Sequence, residues 1–536
     1  MVPLYALMKT SRRSFLASTG AGALGLAAGC SKVHSDYPGQ IVGAAAAVGH
    51  RLRDGQFPAP TETRDTGFVI VGGGIAGLSA ARRLIQRGSH DFLLLELDRA
   101  PGGNAACGRN AISAYPWGAH YVPLPNEDSR EVLSLFEELG IIRSYDASGL
   151  PVYDEETLCS DPMERLFDAG RWQEGLLPQI GITSEDHRQY DTFFARMLEF
   201  RDARGSDGQP AFTIPLDLSS RDPELLALDS LTMAQWMRGQ GFDSAPLLWH
   251  VDYCCRDDYG AGLEHISAWA GVHYFASRRG RAANADADAV VTWPEGNGWL
   301  ASQLTRPLGE RVQSGCVVFN LEQNADTAFV DFFDVTRQQS IRLRARGVVC
   351  AAPRFVAARI LHGLAPLAGL EYSPWMVANI TLDQVPGGNG AAVAWDNVAR
   401  ASRSLGYVVA THQDVRRVPC ETVLTHYWPL DGTPPAEERQ RALGKSHREW
   451  CDLIVADLAS LHPGIERHIQ QIDVWLWGHG MIRPVPGFIW GEARARMIKP
   501  HGRIFFAHSD MSGISIFEEA FTHGFHAADR LLDQYG

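Results

Sequence analysis

The chain has 536 residues, 45% hydrophobic and 10% aromatic, which is enough apolar content for two domains with sizeable cores and too much for a disordered chain. Its net charge of -13 argues against nucleic acid and against a generally basic membrane-binding face, and is compatible with cationic small molecules without selecting them. None of the nine cysteines forms a C-x-x-C, and no Cys/His cluster has zinc spacing, so no metal site is expected and buried free thiols are.

In chain order, Ser11-Arg12-Arg13-Ser14-Phe15-Leu16, followed by an Ala- and Gly-rich run from Ala17 to Gly29, looks like a twin-arginine export signal. An ordinary secretory signal is the alternative. The run is too short to span a bilayer as a mature helix. Leu26-Ala27-Ala28-Gly29-Cys30 resembles a lipoprotein cleavage box, with its leucine one position further from the cysteine than usual. An acylated Cys30 would tether the mature protein to a membrane, so the expected location is the periplasm or cell envelope. Residues 1–29 are read as the signal. Residues 30–65, rich in Gly, Ala, Pro and charge without a clear period, are read as a tether and surface lead-in.

Phe68 to Val71 is a short apolar run of strand type, and Gly72, Gly74 and Gly77 then fit G-x-G-x-x-G. Leu78 to Arg87 continues with helical spacing to a stop at Gly88. A second apolar run, Phe92 to Leu95, ends in Glu96, where an acid that binds a ribose is expected. In such a unit Gly72 allows the turn, Gly74 lets backbone approach a pyrophosphate, and Gly77 lets the helix pack on the strand. Ile75 and Ala76 then lie in the first helical turn, whose free N–H groups face the phosphates. The stretch predicts a dinucleotide site.

Pro101-Gly102-Gly103-Asn104 adds a glycine pair to this order, and the combination resembles the flavin amine oxidase and phytoene desaturase superfamily. The resemblance implies FAD as the cofactor, with Gly102, Gly103 and Asn104 near its flavin side. Relatives often carry arginines at the positions of Asp98 and Asn104, so the chain is a divergent member. Trp117-Gly118-Ala119-His120-Tyr121 resembles a segment that lies beside the flavin, in a form similar to that of polyamine oxidases. His120 is therefore a candidate substrate-side residue, able to hydrogen-bond or accept a proton near neutral pH.

Ser184 opens an expected helix through Arg204, and Ser230 to Gly241 is a second. Arg256, Asp257, Asp258, His265 and His273 are dense in ionisable groups and either line a polar pocket, where the aspartates would attract an ammonium, or form a solvated helix face. Adjacent Cys254 and Cys255 fit two faces of one element. Trp293 to Leu300 resembles the family's glycine-rich turn before a helix. Strands are expected at Cys316 to Leu321, Phe329 to Val335 and Ile341 to Leu343. The resemblance implies that Val317 contacts the adenine. The run from Ser373 to Leu382 lines up with a strand that in many amine oxidases carries a lysine holding a water near the flavin; no lysine is present, and Asn379 is the nearest polar substitute.

At the C-terminus, Arg503 to Asp510 reads as a strand running into an acidic turn, and a helix begins near Phe517 and Glu518. The resemblance implies that Asp510, Phe517 and Glu518 meet the flavin end of the cofactor, with the helix start offering positive potential to a reduced flavin. The family's glycine is Glu519 here, and its amine-sandwiching aromatic is Ile516.

The expected fold is α/β. A three-layer, Rossmann-like FAD-binding domain (residues 66–175, 290–365 and 471–536) is interleaved with an α+β substrate domain (residues 176–289 and 366–470), as in amine oxidases. The implied activity is oxidation of an amine or polyamine by hydride transfer to the flavin, with O2 or another acceptor. The missing lysine and the many tryptophans keep a desaturase of a carotenoid- or steroid-like substrate in view, and a lipoprotein that binds flavin without catalysis is the reading from another class.

Overall fold

All four residues of Phe68–Val71 are apolar because the strand is covered on both faces. Phe68 and Ile70 pack among the helices on one side, and Val69 and Val71 pack against a second sheet on the other. This strand is central in a five-stranded parallel sheet of order Val312–Gln313, Phe92–Leu95, Phe68–Val71, Gly347–Cys350 and Ile504–Phe506. Helices Ile75–Gln86 and Phe517–Tyr535 cover the first face, in contact through Ser79, whose hydroxyl donates to Phe521 O at 2.6 Å. On the other face Cys316–Gln323, Ala328–Asp334 and Gln339–Ala345 form an antiparallel meander, extended by Glu62–Asp65 in parallel. The result is the expected three-layer arrangement, its layers being helices, parallel sheet and meander.

The computed structural model describes residues 36–43, 46–55, 57–364, 369–414, 420–432 and 434–536. The arginine pair at Arg12 and Arg13, and Cys30, lie outside them. Among the described residues no helix is long and apolar enough to cross a membrane.

A second sheet of eight strands runs Ile41–Val42, Ile469–Ile482, Tyr372–Leu382, Thr422–Pro429, Tyr407–Val409, Asp396–Ala399, Glu164–Asp168 and Arg171–Glu174. Alternation along Tyr372–Leu382 sorts its faces. Met376, Ala378, Ile380 and Leu382 meet helix His447–Leu461, whereas Trp375 and Val377 face an aromatic cluster that includes Trp117, Trp395 and Tyr427. Helices Ser184–Asp202, Met233–Gly239, Ala245–Tyr259 and Ala268–Ala276 build a separate core around Phe193, Trp236 and Trp269. The first two begin with capping boxes at Thr183 and Thr232, which set their starts close to where the sequence places them. Cys254 joins the aromatic cluster and Cys255 the helical core, so the adjacent cysteines do take two faces of one helix.

Two expected boundaries are corrected. Part of 30–65 is built into the fold: Ile41–Val42 pairs with Val474 and Trp475, Phe57 stacks on Phe319 at 4.7 Å, and Glu62–Asp65 is a strand of the meander sheet. Glu164–Asp168, Arg171–Glu174 and Ile469–Ile482 all belong to the eight-stranded sheet, so that sheet takes residues from segments expected in the cofactor domain. The cause is long-range pairing, as between Glu164 and Asp396, which no local pattern announces.

Candidate active site

The glycine turn is explained by the protein at two of its three positions. Gly72 has φ 100, and a Cβ on Gly77 would lie 1.9 Å from Gly72 O. Gly74 is different: its φ is -71, and an added Cβ would meet nothing nearer than Gly103 Cα at 3.9 Å. The protein leaves that side open, as a cradle for a pyrophosphate requires. Helix Ile75–Gln86 has no side-chain cap and no acid in its first turn, so the N–H groups around Ile75 and Ala76 are available to an anion. Gly102 (φ 151) and Gly103 (φ 57) bring the following loop against Gly74, with Gly102 N–H bonded to Gly73 O at 2.9 Å. Asn104 donates from Nδ2 to Gly480 O at 2.5 Å, joining this loop to the eight-stranded sheet.

Glu96 is 8% exposed and accepts from the N–H groups of Gly73 (2.6 Å) and Asp98 (2.7 Å). Burial pushes its carboxyl above the usual range despite those bonds. Cys316 N–H donates to Glu96 O at 2.8 Å, which places Val317 beside the acid. Asp510, 1% exposed, accepts from the Arg354 N–H (2.8 Å) and the Tyr372 hydroxyl (2.6 Å). Burial opposes its ionisation, but His508 and these two donors hold the carboxylate below its usual range. Gly74, Glu96 and Asp510 thus follow the ends of parallel strands, with Gly103 against Gly74 and Val317 beside Glu96, and these residues fit a bound FAD.

Beyond Asn104 lies a cavity of about 140 Å³, bounded by His120, Tyr121, Trp375, Tyr427 and Trp477 and closed by Ile516, Phe517 and Glu518 at the start of helix Phe517–Tyr535. Its acids come from two elements. On helix Ala245–Tyr259, Asp258 holds Arg278 through two bonds of 2.8 Å. Asp257, next to it and also on the cavity wall, makes no ion pair among the described residues. Burial, then the Asp258 charge, pushes Asp257 up to about 7. Glu518 is 2% exposed, its Oε2 has no partner among the described residues, and burial raises it to about 7. Asn297 adds an unpartnered buried Oδ1, while its Nδ2 donates to Tyr121 O at 3.0 Å.

The two candidate catalytic residues fare differently. His120 lines the cavity, stacked on Tyr427 at 4.6 Å, but burial lowers it to about 4. It is neutral at physiological pH, which corrects the expectation of a base near neutrality and leaves it a hydrogen-bonding role. Asn379 does not line the cavity. Its Nδ2 donates to Pro116 O (3.0 Å) and its Oδ1 accepts from Thr425 Oγ1 (2.7 Å), so both ends of the amide are spent on the fold and it does not stand in for the lysine. Of the ionisable group read in the middle of the chain, only Asp257 and Asp258 reach the cavity. Arg256 pairs with Asp252, His273 bonds Thr213 O, and His265 is exposed. The departure at Glu519 also has a cause: its carboxylate accepts from Leu216 N–H at 2.6 Å and from the Ser512 hydroxyl, tying the segment around Leu216–Leu218 to the C-terminal helix.

A family model described as an NAD(P)-binding Rossmann-like domain matches residues 70–139. No curated protein matches the chain in sequence. Among solved structures it resembles a putrescine oxidase bound to putrescine, with a TM-score of 0.64 at 16% identity over 88% of this chain and 100% of that one. Cyclohexylamine oxidase from Brevibacterium oxydans gives a TM-score of 0.62 at 16% identity, over 88% and 99% of the two chains. A CLA-producing fatty acid isomerase from P. acnes gives 0.59 at 14% identity, over 87% and 98%.

The fold is that of the amine oxidases. Within it, the sequence marks Asn297 only as part of a turn and Arg278 only as the end of an aromatic stretch. Arg278 meets Asp258 across twenty positions of chain, and no local pattern signals that pairing.

Proposed function

We propose that the protein is an FAD-dependent oxidoreductase that oxidises an amine. The observation that carries the reading is the pair of buried carboxyls, Asp257 and Glu518, that face an aromatic-walled cavity and make no ion pair among the described residues, while Arg278, the arginine on the same wall, is held by Asp258. A protonated amine would complete that arrangement. Gly74, Gly103, Glu96, Val317 and Asp510 would hold FAD, which supplies a two-electron acceptor.

The chain's own residues do the remaining work. Tyr121, Trp375, Tyr427 and Trp477 exclude water and fix the substrate between flat surfaces. Asp257 and Glu518 draw the ammonium in and, with proton affinities near neutrality, take the proton that an amine must lose before its nitrogen lone pair can form a C=N bond. The α-carbon then gives up its hydrogen with the electron pair, and water hydrolyses the C=N product. Neutral His120 and the Asn297 Oδ1 orient the nitrogen by hydrogen bonding. Glu519 turns away from the cavity to Leu216, so the first turn of the C-terminal helix presents Phe517 and Glu518 there.

The arginine pair at Arg12 and Arg13 supports export of the folded, flavin-loaded protein to the periplasm or cell envelope, with Cys30 as a lipid anchor. Anaerobic titration of the flavin-loaded protein with primary amines, diamines and polyamines tests the activity. Bleaching of the flavin absorbance and, in air, peroxide release are expected. Full flavin that no amine bleaches, but an apolar polyene or steroid does, replaces the reading with that of a desaturase.

A further inference from the structure

A second cavity, of about 690 Å³, lies between helices Arg354–Ile360 and Pro435–Gly444 and the strand Ile469–Ile482. Arg354, Arg359, Arg439, Tyr372 and His479 line it, and Glu371 is the acid on its wall. Glu371 is about half exposed and stands 3.9 Å from Arg483, so it does not neutralise the three arginines.

Arg354 is the unusual member. It is 4% exposed, its backbone N–H is committed to Asp510, and its guanidinium sits 4.4 Å from the Phe506 ring. Its Nε and Nη1 have no hydrogen-bond partner among the described residues. A guanidinium withdrawn from water with two of its donors unpaired is costly, and Asp510, whose charge reaches it, is already taken up by the Arg354 backbone N–H and the Tyr372 hydroxyl, so the side chain retains capacity for a further anion. Arg439 places Nε on Gly478 O at 2.5 Å and makes no ion pair among the described residues, and neither does Arg359. His479, stacked on Phe355 at 4.2 Å, is lowered to about 4 by burial and then by Arg439, His50 and Arg359, so it is a neutral donor inside a positive cluster.

We propose that this cavity binds a phosphate group, with Arg354 as its buried anchor and Arg359 and Arg439 closing on it from two helices. Planar guanidinium forks match phosphate oxygens in pairs, which is why arginine rather than lysine suits such a site. The phosphate has two sources: a free phosphate or phosphate ester, or the pyrophosphate of the cofactor, since Gly480, next to His479, bonds Asn104 beside the Gly103 cradle. The second source rests on the flavin reading above; the first does not.

The test uses the full-length protein, flavin-loaded and flavin-stripped, with inorganic phosphate as probe against chloride at equal ionic strength. Phosphate raises Tm in the wild type, and Arg354→Met abolishes the rise. If the cofactor supplies the phosphate, the rise appears only in the stripped protein, phosphate competes with FAD, and Arg354→Met raises the Kd for FAD at least tenfold. If the phosphate is free, the flavin-loaded protein shows the same rise without losing flavin. Should Arg354→Met fail to fold, the double variant Arg359→Gln, Arg439→Gln on the cavity rim reports the same loss. An unchanged phosphate response together with unchanged FAD affinity in these variants overturns the site. Protein that takes up no FAD yet keeps an Arg354-dependent response sinks the flavin reading and leaves the phosphate site standing.

Discussion

Asp258 grips Arg278 with both carboxylate oxygens at 2.8 Å, and its neighbour Asp257 is left facing the cavity without an ion pair among the described residues. Two adjacent aspartates thus have opposite duties, and substitution should separate them. Asp257→Asn should lower kcat/KM for amines by roughly 10- to 100-fold, about 1.4–2.8 kcal/mol of transition-state stabilisation, with little loss of stability. Asp258→Asn strands a largely buried guanidinium and should cost roughly 3 kcal/mol of folding free energy. Steady-state kinetics and thermal melts of the two variants check this; equal effects on both readouts would show that the aspartates act as one unit.

The acids also fix a pH dependence. Asp257 and Glu518 are raised to about 7, and His120 is lowered to about 4. For a cationic substrate, kcat/KM should rise as pH passes through about 7, with no inflection from an ordinary histidine. Glu518→Gln should shift that limb. Stability runs the other way: a carboxyl with a raised folded pKa stabilises fully below its unfolded value, 4.5 for Glu518, and that contribution fades as pH climbs to about 7. The wild type should lose on the order of 3 kcal/mol across that window from Glu518, and Glu518→Gln should not. Melts at pH 5 and pH 7.5 measure the difference.

Gly74 and Gly77 make a matched pair. Gly77→Ala drives a methyl to 1.9 Å from Gly72 O and should impair folding with or without flavin. Gly74→Ala meets open space at a backbone angle alanine accepts, so the flavin-stripped protein should melt within about 1 kcal/mol of wild type while FAD affinity falls at least tenfold. Flavin titration and melts of the stripped variants distinguish them. Loss of stability without loss of affinity in Gly74→Ala would mean the cradle serves the fold.

That contrast shows which parts of the site are legible in a sequence. Gly72, Gly77 and Glu96 act within one strand-helix-strand unit, so their spacing carries their geometry. Asn379 was misleading for the complementary reason: a polar residue at a marked strand position says nothing of Pro116 and Thr425, which arrive from elsewhere and consume its amide. Asp257 could be read as an acid but not as the unpaired one, because that depends on Arg278 choosing Asp258. Arg354 gave no signal, since its burial is set by Phe506 and Tyr372, both over ten residues away in the chain. Residues 41–65 lacked a period because they contribute single edge strands to two different sheets.

Glu519 supplies the last test. It lies in the first turn of the C-terminal helix, it is 1% exposed, and burial raises its carboxyl to about 7. It holds Leu216 N–H at 2.6 Å and the Ser512 hydroxyl, so its removal leaves a buried backbone donor unsatisfied near the cis-bonded Pro215 turn. Glu519→Ala should therefore cost about 1–3 kcal/mol. The loss should be local first: amide exchange at Leu216 should accelerate before global unfolding does, because the bond ties a short one-turn segment to a long helix. Glu519→Gln, which keeps an acceptor for Leu216, should recover most of the stability. If Glu519→Ala leaves both Tm and Leu216 exchange unchanged, the carboxylate is not the tie between the helical layer and the C-terminal helix, and the orientation of Phe517 and Glu518 toward the cavity must be fixed by packing alone.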